Sequence, residues 1–251
     1  MSDRKTVLNV DLANVLSNLN VYRKETNKQV FTVVKANSYG LGSLELSKLF
    51  EANNSPYLCT ATLDEAIYLR KNNIKCPILI MGYVHLENLE IAKKYDLTIT
   101  VVSSDYAKQI KVKDLKVHLK VNTSMNRLGH DTLEQLSESI NALQHITQIE
   151  GIFTHYYSND LENITKDFNT FKNITEALQF DFKYIHAASS NSSLIFKENF
   201  TNAVRIGIGL YGGITNYNLK NVVSLISEVV NIRKVNKDCT VSYASNYKTK
   251  E

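Results

Sequence analysis

The chain has 251 residues, of which 43% are apolar and 22% charged; this excludes a disordered or fibrous polypeptide and suffices for one large domain or two small ones. The net charge is +4, with lysines and arginines scattered, so nothing marks a nucleic-acid-binding face, and no apolar run approaches a signal segment or a membrane span. Three cysteines, Cys59, Cys76 and Cys239, are odd in number and widely spaced, which fits a reducing cytoplasm and offers neither a disulfide framework nor a zinc site.

After a polar start the chain enters a strand-like segment, and from there apolar, β-rich runs alternate with helical patterns. Strands are predicted at 31–37, 57–61, 77–81, 97–102, 116–123, 148–155, 182–188 and 204–209. Helical stretches fall between them, among them 43–53, 63–72, 86–95, 132–143 and 164–179. The last carries Phe168, Phe171, Ile174 and Leu178 on one stripe. Strands separated by single helices imply right-handed βαβ units and a parallel sheet.

Eight such units in a chain of this length predict an α/β fold, a (β/α)8 TIM-type barrel over residues 1–220. An open doubly wound sheet would usually show GxGxxG after its first strand. Asn37-Ser38-Tyr39-Gly40-Leu41-Gly42 stands there instead. Beyond Gly213 the rhythm changes. Residues 222–235 alternate apolar and polar, a turn-like Asn236-Lys237-Asp238 follows, and then Val241-Ser242-Tyr243. Residues 221–251 therefore read as the first antiparallel strands of an incomplete β domain. A lone hairpin is marginal in water, so this piece needs the barrel, a partner chain or further sequence.

In a barrel of this kind chemistry collects at the C-terminal ends of the strands. Lys35 ends the first predicted strand, Asn122, Met125 and Arg127 follow the fifth, and His155 ends the sixth, with Tyr156 and Tyr157 next. Ser189, Ser190 and Asn191 follow the seventh, and Gly207 and Gly209 lie around the eighth. A lysine in the apolar Val33-Val34-Lys35-Ala36 needs a reason, because burying an ammonium is expensive. An amine can form a Schiff base there, or it can sit in an ion pair at the barrel mouth. His155 and His186, with Asp160, could serve a metal hydrolase or be hydrogen-bonded rim histidines. The run from Ser189 to Ser193 opens a helix, which suits a phosphate and equally an ordinary N-cap. Arg205 is a second odd charge in an apolar run, either half of a buried pair or a partner for a cofactor atom.

These residues fall into segments that resemble the motifs of the alanine racemases. Residues 33–42, with Lys35, resemble the cofactor-lysine motif of that family. Residues 118–129, from His118-Leu119-Lys120 to Arg127-Leu128-Gly129, are similar to its second signature. Gly151-Ile152-Phe153-Thr154-His155, His186-Ala187-Ala188-Ser189-Ser190 and residues 204–212 resemble three more, and Val241-Ser242-Tyr243 a sixth. The matches run in family order over nearly the whole chain.

The resemblance implies a homodimeric isomerase that interconverts L- and D-alanine with pyridoxal 5'-phosphate, supplying D-alanine for cell-wall peptidoglycan. It implies Lys35 as the Schiff-base lysine and one of two catalytic bases, and Tyr243 as the other, acting in the partner subunit's site. Tyr39, Ser190, Gly207 and Ile208 match phosphate-site positions. Arg205 matches the arginine at the pyridine nitrogen, and His155 the histidine beside the ring. Arg127 matches the arginine at the phenolic oxygen, which also serves the substrate, and Lys120 a carbamylated lysine that steadies it. Asn122, Ser189 and Leu41 depart from the usual aspartate, asparagine and histidine. Family members continue into a substantial β domain, so the chain reads as a truncated one. A cofactor-binding barrel without turnover and an inactive fragment stay open as alternatives.

Overall fold

The computed structural model describes residues 5–250. Twelve strands are formed among them: β1 (Val7–Val10), β2 (Gln29–Val33), β3 (Leu58–Thr60), β4 (Ile78–Ile80), β5 (Thr98–Val101), β6 (Lys116–Lys120), β7 (Gln148–Phe153), β8 (Tyr184–His186), β9 (Ala203–Ile206), β10 (Val223–Ile226), β11 (Thr240–Val241) and β12 (Tyr247–Lys248). Strands β2 to β9 pair in sequence order, all parallel, and β9 closes back on β2. The predicted TIM-type barrel is thus the observed one.

The chain divides into two compact units. The barrel unit runs from Val10 to Val222. Its interior is filled by Phe31, Val33, Tyr57, Cys59, Leu79, Tyr184 and Ala203, all buried. Burying an apolar side chain of Val or Phe size contributes about 1.5–3 kcal/mol. His118, His186 and Arg205 are buried in the same barrel.

Every predicted strand is found, but the ladder stops earlier than the apolar run at its C-terminal end. Val34, Val121, Thr154, Ala187 and Ala188 lie beyond the strand ends and are still buried, because the mouth of the barrel also excludes water. Helices agree closely: Ser43–Ala52, Leu63–Lys71, Leu133–Leu143 and Leu161–Ala177 fill the predicted stretches, while 86–95 divides into a short 3-10 turn and Leu89–Lys94. Asp160, Thr132 and Thr62 cap three of them through their side-chain oxygens. A further helix, Leu12–Thr26, precedes β2. Asp11 caps it by accepting from Asn14 N at 3.0 Å, and Val15, Leu19 and Tyr22 form its buried face.

The second unit is drawn from both ends of the chain, up to Asn9 and from Val223 onward. It holds a two-stranded sheet of β1 with β10 and a small antiparallel hairpin of β11 with β12. The alternation at 222–235 predicts a longer strand than the four residues found. Alternation alone does not make a strand; the ladder needs a partner, and β1 is only four residues long. No helix among the described residues is long and apolar enough to cross a membrane.

Candidate active site

The C-terminal ends of the barrel strands surround a cavity of about 750 Å³. Lys35, Tyr39, Arg127, His155, Ser190, Arg205, Gly207 and Ile208 all line it, together with Lys120 and Ser189. The fold therefore brings together every barrel residue singled out from the sequence for cofactor contact. Tyr243 belongs to the other unit, in a 3-10 turn at Tyr243–Ser245, and is 95% exposed.

Lys35 is not in a strand, as the apolar run suggested, but two residues past Val33. It opens a left-handed turn. Ala36, Asn37, Ser38 and Tyr39 all have φ between 50° and 57°. Left-handed backbone costs roughly 1–2 kcal/mol per non-glycine residue, so neighbours must hold it. Glu65 accepts from Ala36 N at 2.7 Å and from Ala61 N at 2.7 Å, and Asn37 accepts from Ser43 N at 2.8 Å. Tyr211 packs on Tyr39 at 5.5 Å and donates to Val33 O at 2.8 Å. The turn places the Lys35 amine 5.9 Å from the Tyr39 ring centre.

Across the cavity, the Ser190 hydroxyl accepts from Gly207 N at 3.1 Å and Gly209 N at 3.2 Å. A Cβ on Gly207 would come 2.5 Å from the Tyr39 hydroxyl, and one on Gly209 would strike the Tyr22 hydroxyl. Tyr22, buried on the first helix, donates to Ser190 O at 3.1 Å. On the same helix Asn18 donates to Leu210 O and Lys220 O and accepts from Lys220 N. The expected helix N-terminus after β8 is a single turn, Ser192–Ile195, without a side-chain cap. The serine run instead holds its own loop, since the Ser192 hydroxyl accepts from Ser189 N at 2.8 Å. The polar wall here is therefore the Gly207–Gly209 backbone with the Ser190 hydroxyl, not a helix end.

The floor of the cavity is cationic. Arg205 is buried and donates to Thr154 O at 2.8 Å, Ala187 O at 3.1 Å, His155 Nδ1 at 3.3 Å and His186 Nδ1 at 2.6 Å. Burial lowers its pKa to about 10, so it stays charged at neutral pH. Burial, then the charges of Arg205 and Lys120, push His155 down to about 3, a neutral ring. Lys120 lies 4.9 Å from the Phe153 ring centre, as does the guanidinium carbon of Arg205. Burial and the two arginines, Arg205 and Arg127, lower the Lys120 amine to about 7. Asn122 donates to Asp131 Oδ1 at 2.7 Å, so a carboxylate stands beside the carboxamide at this departure from the family pattern.

The metal alternative finds no ligand set. Both His186 nitrogens and His155 Nδ1 are engaged, and Asp160 caps a helix. Among the described residues no group of three His, Cys, Asp or Glu side chains converges on one point. Sequence reasoning passed over Tyr22, Asn18 and Asp131. The buried stripe of Val15, Leu19 and Tyr22 on a capped helix was the legible signal for the first two.

Residues 10–215 match the family described as "Alanine racemase, N-terminal domain". The chain belongs to the alanine racemase family. It is 36% identical to the alanine racemase of Staphylococcus saprophyticus, with all of this chain and 72% of that protein aligned. Against the alanine racemase of Streptococcus uberis the identity is 34%, over 98% of this chain and 72% of that one. The solved alanine racemase structure from Clostridium difficile 630 superposes with a TM-score of 0.89 at 29% identity, covering 98% of this chain and 70% of that chain. The alanine racemase structure from E. faecalis gives 0.90 at 29%, covering 98% and 72%. The chain thus spans about 70% of the length of these family members.

Proposed function

We propose that this cavity binds pyridoxal 5'-phosphate and that the chain racemises alanine with it. The carrying observation is the single cavity that joins an amine, Lys35, to the Gly207–Gly209 cradle and to the buried charge of Arg205. The fit to the cofactor is specific. A side chain at Gly207 would run into Tyr39 at the cavity wall, and Arg205 is a buried cation that a family cofactor's ring nitrogen would explain. When bound, the cofactor supplies an electron sink for an amino acid that has lost its α-proton.

The protein's share is placement and proton transfer. Ser190, Tyr39 and the amides of Gly207 and Ile208 would hold the phosphate, as helix and loop N–H groups do for anions. Arg205 has only donors, so it would keep a proton off the ring nitrogen and weaken the sink, which limits side reactions. His155, neutral, would pack beside the ring of the bound cofactor, and Arg127 would hold its phenolic oxygen and the substrate carboxylate. Lys35 takes or returns the α-proton on one face. Tyr243 does so on the other, from the second subunit of a homodimer; its exposure is what a group serving another chain's site requires. The Lys120 amine, unprotonated in part at neutral pH, is able to take carbon dioxide as a carbamate and give Arg127 an anionic partner. In this reading the barrel, Val10 to Val222, is the cofactor domain, and the stretch from Val223 is the start of a β domain, in a cytoplasmic enzyme.

The test mixes the protein with the cofactor, reduces it with borohydride and maps the adduct by peptide, alongside L-to-D interconversion of alanine. One stoichiometric adduct on Lys35 and turnover that Lys35→Ala abolishes are expected. Interconversion surviving in Lys35→Ala refutes the reading, and an adduct without interconversion leaves a cofactor-binding barrel. Tyr243→Phe should slow proton removal from L-alanine more than from D-alanine; equal losses in isotope exchange refute its role.

A further inference from the structure

Behind Arg205 the barrel carries a chain of polar contacts that the reaction does not use directly. Arg205 Nη1 lies 2.6 Å from His186 Nδ1, and His186 Nε2 lies 2.9 Å from His118 Nδ1. All three residues are buried. A guanidinium has no acceptor, so His186 Nδ1 must accept. A neutral imidazole carries one proton, which then stands on His186 Nε2. That proton points at His118 Nδ1, which must accept in turn, so His118 carries its proton on Nε2. The arginine at one end therefore favours one tautomer of each ring.

The dependence also runs backward. A neutral His186 without an acceptor at Nε2 would bury an unpaired N–H there, a cost that offsets part of the bond Arg205 gives Nδ1 and opens the other tautomer. His118 Nδ1 removes that option. We propose that His118 is a positioning residue, which locks His186 as an acceptor and thereby fixes Arg205 in the cavity floor. The consequence for the cofactor rests on the reading given above, but the proton arrangement does not.

Three observations beyond the two distances support it. The site is built for a ring at this place: a Cβ on Gly151, the residue opposite His118 in β7, would come 2.8 Å from the ring. His118 packs among aromatic rings, 5.4 Å from Tyr57 and 5.9 Å from Tyr184, which hold it against His186. Its Nε2 has no hydrogen-bond partner among the described residues, so the ring is not kept for that nitrogen; the bond at Nδ1 is the one it makes. Burial, then the charges of Arg205 and Lys183, push His118 down to about 3, and His186 is driven the same way, which keeps both rings neutral.

Two variants separate this role from packing. His118→Asn places a carboxamide oxygen close to where Nδ1 stood and keeps an acceptor; His118→Leu fills the space without one. The first measurement is nitrogen-detected NMR of the cofactor-free full chain. It should find His186 and His118 each protonated on Nε2 alone, His186 unchanged in His118→Asn and redistributed between its nitrogens in His118→Leu. The second is activity and cofactor affinity: His118→Leu should lose roughly tenfold in kcat with little change in KM, and His118→Asn should recover most of it, a step the size of one hydrogen bond to a charged network. A His118 protonated on Nδ1, or equal losses in the two variants, overturns the proposal. If the wild-type chain takes no cofactor adduct at Lys35, the cofactor reading fails while the NMR result still decides the relay.

Discussion

The rim after β9 and the floor behind it treat polarity in different ways. At the rim Gly207 and Gly209 present backbone amides to Ser190, and Tyr39 and Tyr22 stand where glycine side chains would be. In the floor Arg205 and Lys120 are buried, and among the described residues no carboxylate pairs with either. The rim is constrained by shape, so its failures should be steric. The floor is constrained by charge, so its failures should depend on pH. Protein interiors keep buried charges unpaired at a cost in stability, which is a mark of sites kept for binding or catalysis.

Gly209→Ala should have the largest effect. Tyr22 is fully buried and bonded to Ser190 O, so it cannot yield to a new methyl. A loss of about 3 kcal/mol in denaturant unfolding is expected for forced overpacking of this kind; an unchanged midpoint would show that the rim is softer than drawn. The floor should respond in the opposite sense. Lys120→Met removes a buried amine and keeps the volume, and should stabilise the cofactor-free protein at pH 7 by about 2 kcal/mol. The sign follows from linkage. Burial lowers the folded-state pKa of Lys120 to about 7 from an ordinary 10.5, so between those values the unfolded chain binds more protons. Stability from this group is complete above the ordinary value and lost as pH falls to about 7. Unfolding measured against pH in buffer free of carbon dioxide should rise through that window, and Lys120→Met should flatten the rise. An unaltered slope would mean that Lys120 finds an anionic partner.

The barrel was legible because its signal is repeated. Eight apolar runs separated by helical stretches leave few arrangements, and each strand overlaps its predicted run, with β2 and β9 starting one or two residues before theirs. The runs overshot the strands because burial continues past the strand ends, at Val34, Val121 and Ala187, and composition reports burial and not regular pairing. The rim residues were legible as motifs, Lys35 and Ser190 among them, but their geometry was not. Nothing in Ala36-Asn37-Ser38-Tyr39 announces a left-handed turn, since only Asn is at home there and the clamp, Glu65, lies on another helix. His118 was visible as part of a signature without a role, because its contact with His186 joins residues 68 apart in the chain. The alternation at 222–235 marked the strand β10 but not its length, because period-two patterning records a possible face and not a partner.

Gly207→Ala sharpens the contrast within the rim. Its methyl would meet Tyr39, which is 38% exposed and free to swing away, so the cofactor-free protein should melt as the wild type does. The displaced phenol and narrowed cradle should weaken cofactor binding about tenfold, or ~1.4 kcal/mol, read by absorbance titration. A melting temperature lowered as far as by Gly209→Ala would place Tyr39 in the rigid frame.

The smallest expected effect tests the strain under Lys35. Ala36 holds φ 50° and ψ 49°, a conformation that costs an alanine roughly 1–2 kcal/mol. Glycine adopts it freely but adds about 0.5–1 kcal/mol of unfolded-state entropy. Ala36→Gly should therefore gain about 0.5 kcal/mol in denaturant unfolding, the difference of the two terms. The bond from residue 36 N to Glu65 survives the change, so the turn persists, but a glycine next to the amine-bearing residue no longer has a steric reason to keep one backbone geometry. Slower turnover with unchanged cofactor stoichiometry is the matching kinetic expectation, because a strained turn held by Glu65 keeps Lys35 aimed where a relaxed one does not. A loss of stability in Ala36→Gly would mean that Glu65 and Asn37 have already offset the strain, and that the turn is held by its bonds alone.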